Sequence, residues 1–230
     1  MKSIVIAIDG HSSTGKSTVA KKLAKALEYK YVDTGAMYRA VTLFALRNQW
    51  IKAGEVKVNS LINQLPSIKI NFEYNGSDGT NDVFLNGENV ETEIRAMQVS
   101  EHVSSVAKID EVRQKLVQIQ KQLGEEKGIV MDGRDIGSVV FPKAELKIFM
   151  TASADIRAQR RYNELKEKGE DINFEEVLKN VKHRDEIDTT RKNSPLIQAD
   201  DAIKIDNSHM SQEEQFEKIL NLAMERIKST

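Results

Sequence analysis

The chain has 230 residues, enough for one well-buried α/β core with a small inserted subdomain. It carries no cysteine, which excludes disulfides, thiolate metal sites and a cysteine nucleophile, and 34 basic against 35 acidic side chains leave a net charge of -1, so neither nucleic acid nor anionic lipid is an expected partner. The four histidines show no ligand spacing, the N-terminal apolar run is too short for a signal peptide and no stretch approaches a membrane span; a cytoplasmic protein is expected.

The first apolar run, Ile4-Val5-Ile6-Ala7-Ile8, reads as a buried parallel strand. Directly after it, Gly10-His11-Ser12-Ser13-Thr14-Gly15-Lys16-Ser17 fits G-x-x-x-x-G-K-[ST]. Val19, Ala20, Leu23, Ala24 and Leu27 then recur at helical spacing. Strand, glycine loop and helix in that order form a phosphate cradle: the glycines let backbone N–H groups converge on an anion, and Lys16 reaches the β- and γ-phosphates. The Ser17 hydroxyl is the expected Mg²⁺ ligand. A bound nucleoside triphosphate is therefore expected on Gly10, His11, Ser12, Ser13, Thr14, Gly15, Lys16, Ser17 and Thr18.

Next, Asp33 closes a short apolar stretch and Thr34 reads as the N-cap of a helix over about 35–48 that carries Arg39, a second anion site or an ordinary capped helix. Period-two patterning in Ile68 to Tyr74 and Val83 to Leu85, with Asn75-Gly76 and Asn86-Gly87, predicts antiparallel hairpins inserted at about 62–93. The segment Gly76-Ser77-Asp78-Gly79-Thr80-Asn81 reads as a mobile loop tip. Helices at about 94–107 and 110–123 return to the core.

Three more apolar runs read as parallel strands: Gly128 to Met131, Leu146 to Met150 and Ala202 to Ile205. Helical patterns at about 153–168, 174–192 and 211–228 alternate with them, which predicts a doubly covered parallel sheet with its ligands beyond the strand carboxyl ends. Asp132-Gly133-Arg134-Asp135 lies at such an end, where buried charge needs partners. Arg134 suits a phosphate and Asp135 an exocyclic amine such as cytosine N4, or the two form an internal ion pair. Arg184, Asp188 and Arg191 share a helix face at i, i+4, i+7, as do Arg157, Arg160 and Arg161 on the preceding helix. Two arginine-bearing helices joined by Lys168-Gly169-Glu170-Asp171 read as a lid over transferring phosphates, or as ion-paired solvated helices.

The loop, Asp33-Thr34-Gly35-Ala36-Met37-Tyr38-Arg39, Glu93-Ile94-Arg95, Asp132 through Pro142 and Lys147-Ile148-Phe149-Met150 together resemble the bacterial-type cytidylate kinase family over nearly the whole chain. The resemblance implies an α/β fold with a phosphate-loop core at 1–61 and 94–230, an inserted antiparallel β monophosphate-binding subdomain at 62–93 and a helical lid at about 153–192. It implies transfer of the ATP γ-phosphoryl to CMP or dCMP with Mg²⁺. Carried over by motif, Arg39, Arg134 and Arg191 hold the acceptor phosphate, while Thr34, Ser104, Arg113 and Asp135 surround the cytosine. Arg184 and Asp188 take the sugar hydroxyls. Lys16, Arg134, Arg191, Arg157 and Arg161 carry the catalytic charge, the last two from the lid. Departures from the family's commoner pattern are His11 for Pro, Ser13 and Thr14 for Gly and Ala, and Thr34 for Ser, none of which removes a donor. No heptad run suggests assembly, and a monomer is expected. Phosphorylation of another small acceptor, such as UMP or a sugar acid, and a non-catalytic ATP-binding module remain open alternatives.

Overall fold

The computed structural model describes residues 2–75 and 80–229. Its elements run β1 (Val5–Gly10), α1 (Lys16–Leu27), β2 (Lys30–Asp33), α2 (Thr34–Arg47), β3 (Ile51–Lys52), β4 (Glu55–Val56), α3 (Val58–Gln64), β5 (Ile70–Asn75), β6 (Thr80–Leu85), β7 (Glu88–Asn89), α4 (Met97–Ala107), α5 (Asp110–Leu123), β8 (Ile129–Gly133), β9 (Leu146–Thr151), α6 (Ala154–Glu167), α7 (Phe174–Thr190), β10 (Ile203–Asp206) and α8 (Gln212–Ser229). They group into two units, residues 1–30 with 124–230, and residues 31–123.

In the first unit the strands lie side by side in the order β10-β9-β1-β8, all parallel. Every residue of β1 is buried, as a strand covered on both faces requires. Ile6 pairs with Val130 on one side and Leu146 on the other, which aligns the carboxyl ends of β1, β8 and β9. Ile4, Ile6, Ile8, Ile129, Met131, Ile148 and Met150 form the apolar interior, and α1 packs on β8 and α8. Gly10 ends β1 at φ +152, and a Cβ there would stand 2.1 Å from the Met150 carbonyl oxygen, so the strand can turn into the loop this close to β9 only with glycine.

In the second unit the antiparallel sheet β5-β6-β7 forms where period-two patterning predicts it, with Ile70 opposite Leu85 and Phe84 opposite Asn89. Of the expected loop tip from Gly76 to Asn81, residues 76–79 lie outside the described residues, while Thr80 and Asn81 belong to β6, where they pair with Asn75 and Tyr74 and so extend the ladder past the expected turn. Met37, Val41, Leu61, Ile68, Val83, Leu85, Ile94, Val99, Val103 and Leu116 build a core of this unit's own. The helix carrying Arg39 is capped one residue earlier than expected. Asp33, not Thr34, is the N-cap, extended at ψ 98 with its carboxylate accepting from the Ala36 N–H, while Thr34 is the first helical residue. Glu93-Ile94-Arg95 forms a short 3₁₀ turn before α4 rather than the start of that helix. Among the described residues no helix is long and apolar enough to cross a membrane.

Candidate active site

The phosphate loop is built by local sequence and held by distant side chains. Gly15 occupies the left-handed region at φ +83 as N-cap of α1, and the first turn of α1 carries no acidic residue, so its N–H groups face an anion without competition. Thr14 Oγ1 donates to the His11 carbonyl at 3.1 Å, and the buried Lys16 Nζ arches back to the same oxygen at 3.2 Å. Ser12 Oγ is buried without a hydrogen-bond partner. Ser17 Oγ donates to Asp132 Oδ2 at 2.8 Å, so hydroxyl and carboxylate stand together beyond β1 and β8.

Asn207, fully buried just after β10, braces the loop from the far side. Its amide donates to the Thr14 carbonyl at 2.6 Å and to Gln215 Oε1 at 2.7 Å, and its own oxygens accept from Arg160 at 3.1 and 2.8 Å. From α6, Arg157 donates to the Ala152 carbonyl at 2.9 Å, to both Asp185 oxygens at 2.9 and 2.5 Å, and to the Ser12 carbonyl at 3.4 Å. His11 Nδ1 stands 3.2 Å from Asp185 Oδ1. Burial alone would raise the Asp185 carboxyl, but His11 and Arg157 pull it down to about 2.

The second cluster of the unit gathers Arg134, Arg184, Asp188 and Arg191. Arg134 Nε donates to Asp188 Oδ2 at 2.8 Å, and Arg191 Nη1 lies 3.8 Å from Asp188 Oδ1 while its Nε donates to the Ser194 carbonyl. Burial opposes the charge on Asp188, yet Arg134 and Arg184 hold its carboxyl below the ordinary range. Burial first and the Arg134 charge second push Arg184 down to about 10, against the pull of Asp188 and Asp185. An incoming phosphate would relieve this. Arg161 pairs with Glu164 at 2.8 Å, and its charge also bears on Arg184.

Asp135, 3% exposed, stands at the N-cap of a π-helical turn over Ile136–Val140, where its carbonyl accepts from the Val139 and Val140 N–H groups at 2.9 and 3.2 Å. Its carboxylate makes no cap hydrogen bond. The buried Asp9 of β1 accepts instead from the Ile136 and Gly137 N–H groups at 2.8 and 2.7 Å. Burial pushes the Asp9 carboxyl up to about 7 against the pull of those two amides.

The remaining expected residues lie in the second unit. Thr34 is buried at the start of α2, and Arg39 donates to the Ile94 carbonyl at 3.0 Å. Arg113, 4% exposed, lies over the Tyr38 ring at 5.4 Å and donates to the Ala107 carbonyl, and Ser104 is buried on α4. Arg95, a residue the sequence marks only by the motif Glu93-Ile94-Arg95, donates to Asp33 at 2.9 Å and to Glu91 at 2.8 Å, and so holds the cap of α2. Sequence reasoning assigns nothing to Asp9, Asp185 or Asn207. Asp9 and Asp185 each adjoin a residue it does assign, and only long-range contacts reveal them.

Residues 6–225 match the model of the cytidylate kinase family. A cytidylate kinase of Flavobacterium johnsoniae is 59% identical over 228 residues, which cover 99% of each chain. Those of Parabacteroides distasonis and Bacteroides fragilis are 57% and 52% identical over 94% and 100% of each chain. A match of this extent, on a chain whose strand ends carry the phosphate loop and the arginine cluster, shows that it belongs to the cytidylate kinase family.

Proposed function

We infer that the chain transfers the γ-phosphoryl group of ATP to CMP or dCMP, giving ADP and CDP or dCDP. The observation in the structure that supports this most directly is the gathering of Arg134 with the buried Arg184 and Arg191 at the buried Asp188, three guanidinium groups of the kind that hold a phosphate. ATP binds on Gly10 to Thr18, with Lys16 on the β- and γ-phosphates. The acceptor phosphate takes Arg39, Arg134 and Arg191. Arg184 and Asp188 take the sugar hydroxyls, and Thr34, Ser104, Arg113 and Asp135 the cytosine. An acceptor phosphate oxygen forms the new bond to the γ-phosphorus as the β,γ-bridging bond breaks and ADP leaves. That oxygen is already anionic near neutral pH, so no side chain has to remove a proton. Catalysis then consists of alignment and of charge neutralisation by Lys16 and the arginines, with Arg157 and Arg161 contributed by α6 of the lid.

A Mg²⁺ is expected to arrive with the triphosphate, since this ion keeps much of its water and is held by one or two protein groups together with phosphate oxygens. The Ser17 hydroxyl with Asp132 behind it at 2.8 Å is the donor set such a Mg²⁺ needs. The ion would neutralise charge on the β- and γ-phosphates. We read the chain as a cytoplasmic monomer acting on free nucleotides, with no nucleic acid or membrane partner.

The test is ADP release over a panel of CMP, dCMP, UMP, AMP and a sugar acid. CMP and dCMP are expected to stimulate it and the others to lag by orders of magnitude, because uracil turns a carbonyl oxygen toward Asp135 where cytosine offers the N4 amine, and a purine or a sugar acid differs from cytosine in shape as well. Preference for another acceptor, or ATP binding with no acceptor-stimulated release, refutes the assignment. Asp135→Ala should erode the CMP/AMP ratio more than it lowers the rate with CMP.

A further inference from the structure

We propose that Asp9 is a positioning residue for base selection: from the end of β1 it fixes the turn that aims Asp135, and so sets the preference for cytosine over uracil. The inference rests on Asp135 as the reader of cytosine N4.

An aspartate at an N-cap ordinarily folds its carboxylate back onto the first N–H groups of its own turn. Asp135 occupies that position and makes no such bond. The N–H groups that need an acceptor are those of Ile136 and Gly137, and both Asp9 oxygens meet them at 2.8 and 2.7 Å. Asp9 therefore does the capping from another strand, and the Asp135 carboxylate is released from that task. The fit is close. A Cβ on Gly137 would stand 3.1 Å from Lys147 Cδ and 3.3 Å from Asp9 Oδ2, so the turn lies against the carboxylate with no room to shift. Asp9 pairs with Gly133 across the sheet, which ties the same strand end to both sides of the Asp132-Gly133-Arg134-Asp135 segment. Asp9 is also the residue before Gly10, so one carboxylate anchors the base reader beside the root of the phosphate loop. A carboxylate facing the base accepts from the cytosine amine and repels the uracil O4, so its aim decides which pyrimidine is taken.

The experiment measures kcat and KM for CMP, UMP and ATP in Asp9→Asn, whose amide keeps the volume but offers one acceptor where two N–H groups wait. Loss of one hydrogen bond from the turn is expected to raise KM for CMP about tenfold and to lower the CMP/UMP selectivity about as much, with KM for ATP and kcat within about threefold. Gly137→Ala, which pushes on the same carboxylate from the other side, should shift selectivity the same way and carries the test if Asp9→Asn does not fold. Adding Asp9→Asn to Asp135→Asn should lower selectivity no further. A rise in KM for ATP with unchanged CMP/UMP selectivity overturns the inference and assigns Asp9 to the phosphate loop. If Asp135→Asn lowers selectivity while Asp9→Asn and Gly137→Ala do not, the inference fails and the role of Asp135 stands. If Asp135→Asn itself leaves selectivity unchanged, the base-reader assignment fails and takes the inference with it.

Discussion

Asp188→Asn probes the arginine cluster where its balance of charge is most exposed to change. The amide keeps the side-chain volume and one acceptor for Arg134 Nε, now 2.8 Å from the carboxylate, but removes the negative charge among Arg134, Arg184 and Arg191. Removing one partner of a buried ion pair costs about 3–5 kcal/mol, and the hydrogen bond that survives offsets about 1 kcal/mol of it. For a chain of 230 residues each kcal/mol moves Tm by roughly 2–4 °C, so a fall of roughly 5–15 °C is expected at pH 7. The pH dependence has a definite sign. The folded Asp188 carboxyl is held below its ordinary value, so its stabilisation is present above about pH 4 and is lost as pH falls through the folded pKa. Thermal melts of wild type and variant should therefore differ at pH 7 and converge in acid. Millimolar inorganic phosphate should stabilise both proteins. A variant that melts within about 2 °C of wild type at pH 7 would show that the cluster does not depend on the Asp188 charge.

Lys16→Ala should lower turnover by at least about 100-fold with the fold intact, because the side chain that neutralises the β- and γ-phosphates is gone; near-normal turnover from folded protein contradicts that role. CMP at roughly 100 times its Kd should stabilise the protein by about 2.7 kcal/mol and raise Tm by roughly 5–11 °C, and AMP at the same concentration should raise it far less. Asn207→Ala strips the donors from the Thr14 carbonyl and Gln215 Oε1 and the acceptor from Arg160, and should cost about 2–4 kcal/mol in urea unfolding while raising KM for ATP.

The parts of this protein that the sequence reveals are those written in local spacing. The glycine loop, the buried strand before it and the apolar stripe of α1 lie within one stretch of chain. Arg184, Asp188 and Arg191 fall on one face of α7 because a helix repeats every 3.6 residues. The cap of α2 shows where local rules stop. Asp33 and Thr34 are both good N-caps, and the choice between them depends on where the extended backbone of β2 ends and on Arg95 reaching Asp33 from 62 positions away. The two-residue strands β3 and β4 are too short to leave a pattern. The turn at Ile136–Val140 reads locally as a continuing apolar run, and its winding depends on Asp9, 127 positions distant from Ile136. Asn207 is likewise an unremarked polar residue after a weak strand until Thr14, Gln215 and Arg160 converge on it.

Asp185 is the sharpest instance, because it lies between Arg184 and Asp188 in sequence yet belongs to the other cluster. It grips the Arg157 guanidinium through both oxygens and meets His11 of the phosphate loop, so a residue of α7 fixes an arginine of α6 against the backbone of Ser12. If Arg157 acts from that position, Asp185→Asn should raise KM for ATP and lower kcat together, by about tenfold in kcat/KM, through the loss of a two-pronged charge-assisted contact. Arg157→Ala should do at least as much, and the double variant should be no worse than Arg157→Ala where Asp185 acts through that arginine rather than through His11. KM for CMP should stay near its wild-type value in all three. Should the two single losses instead multiply, Asp185 and Arg157 act independently, and the carboxylate serves His11 and the loop rather than the arginine.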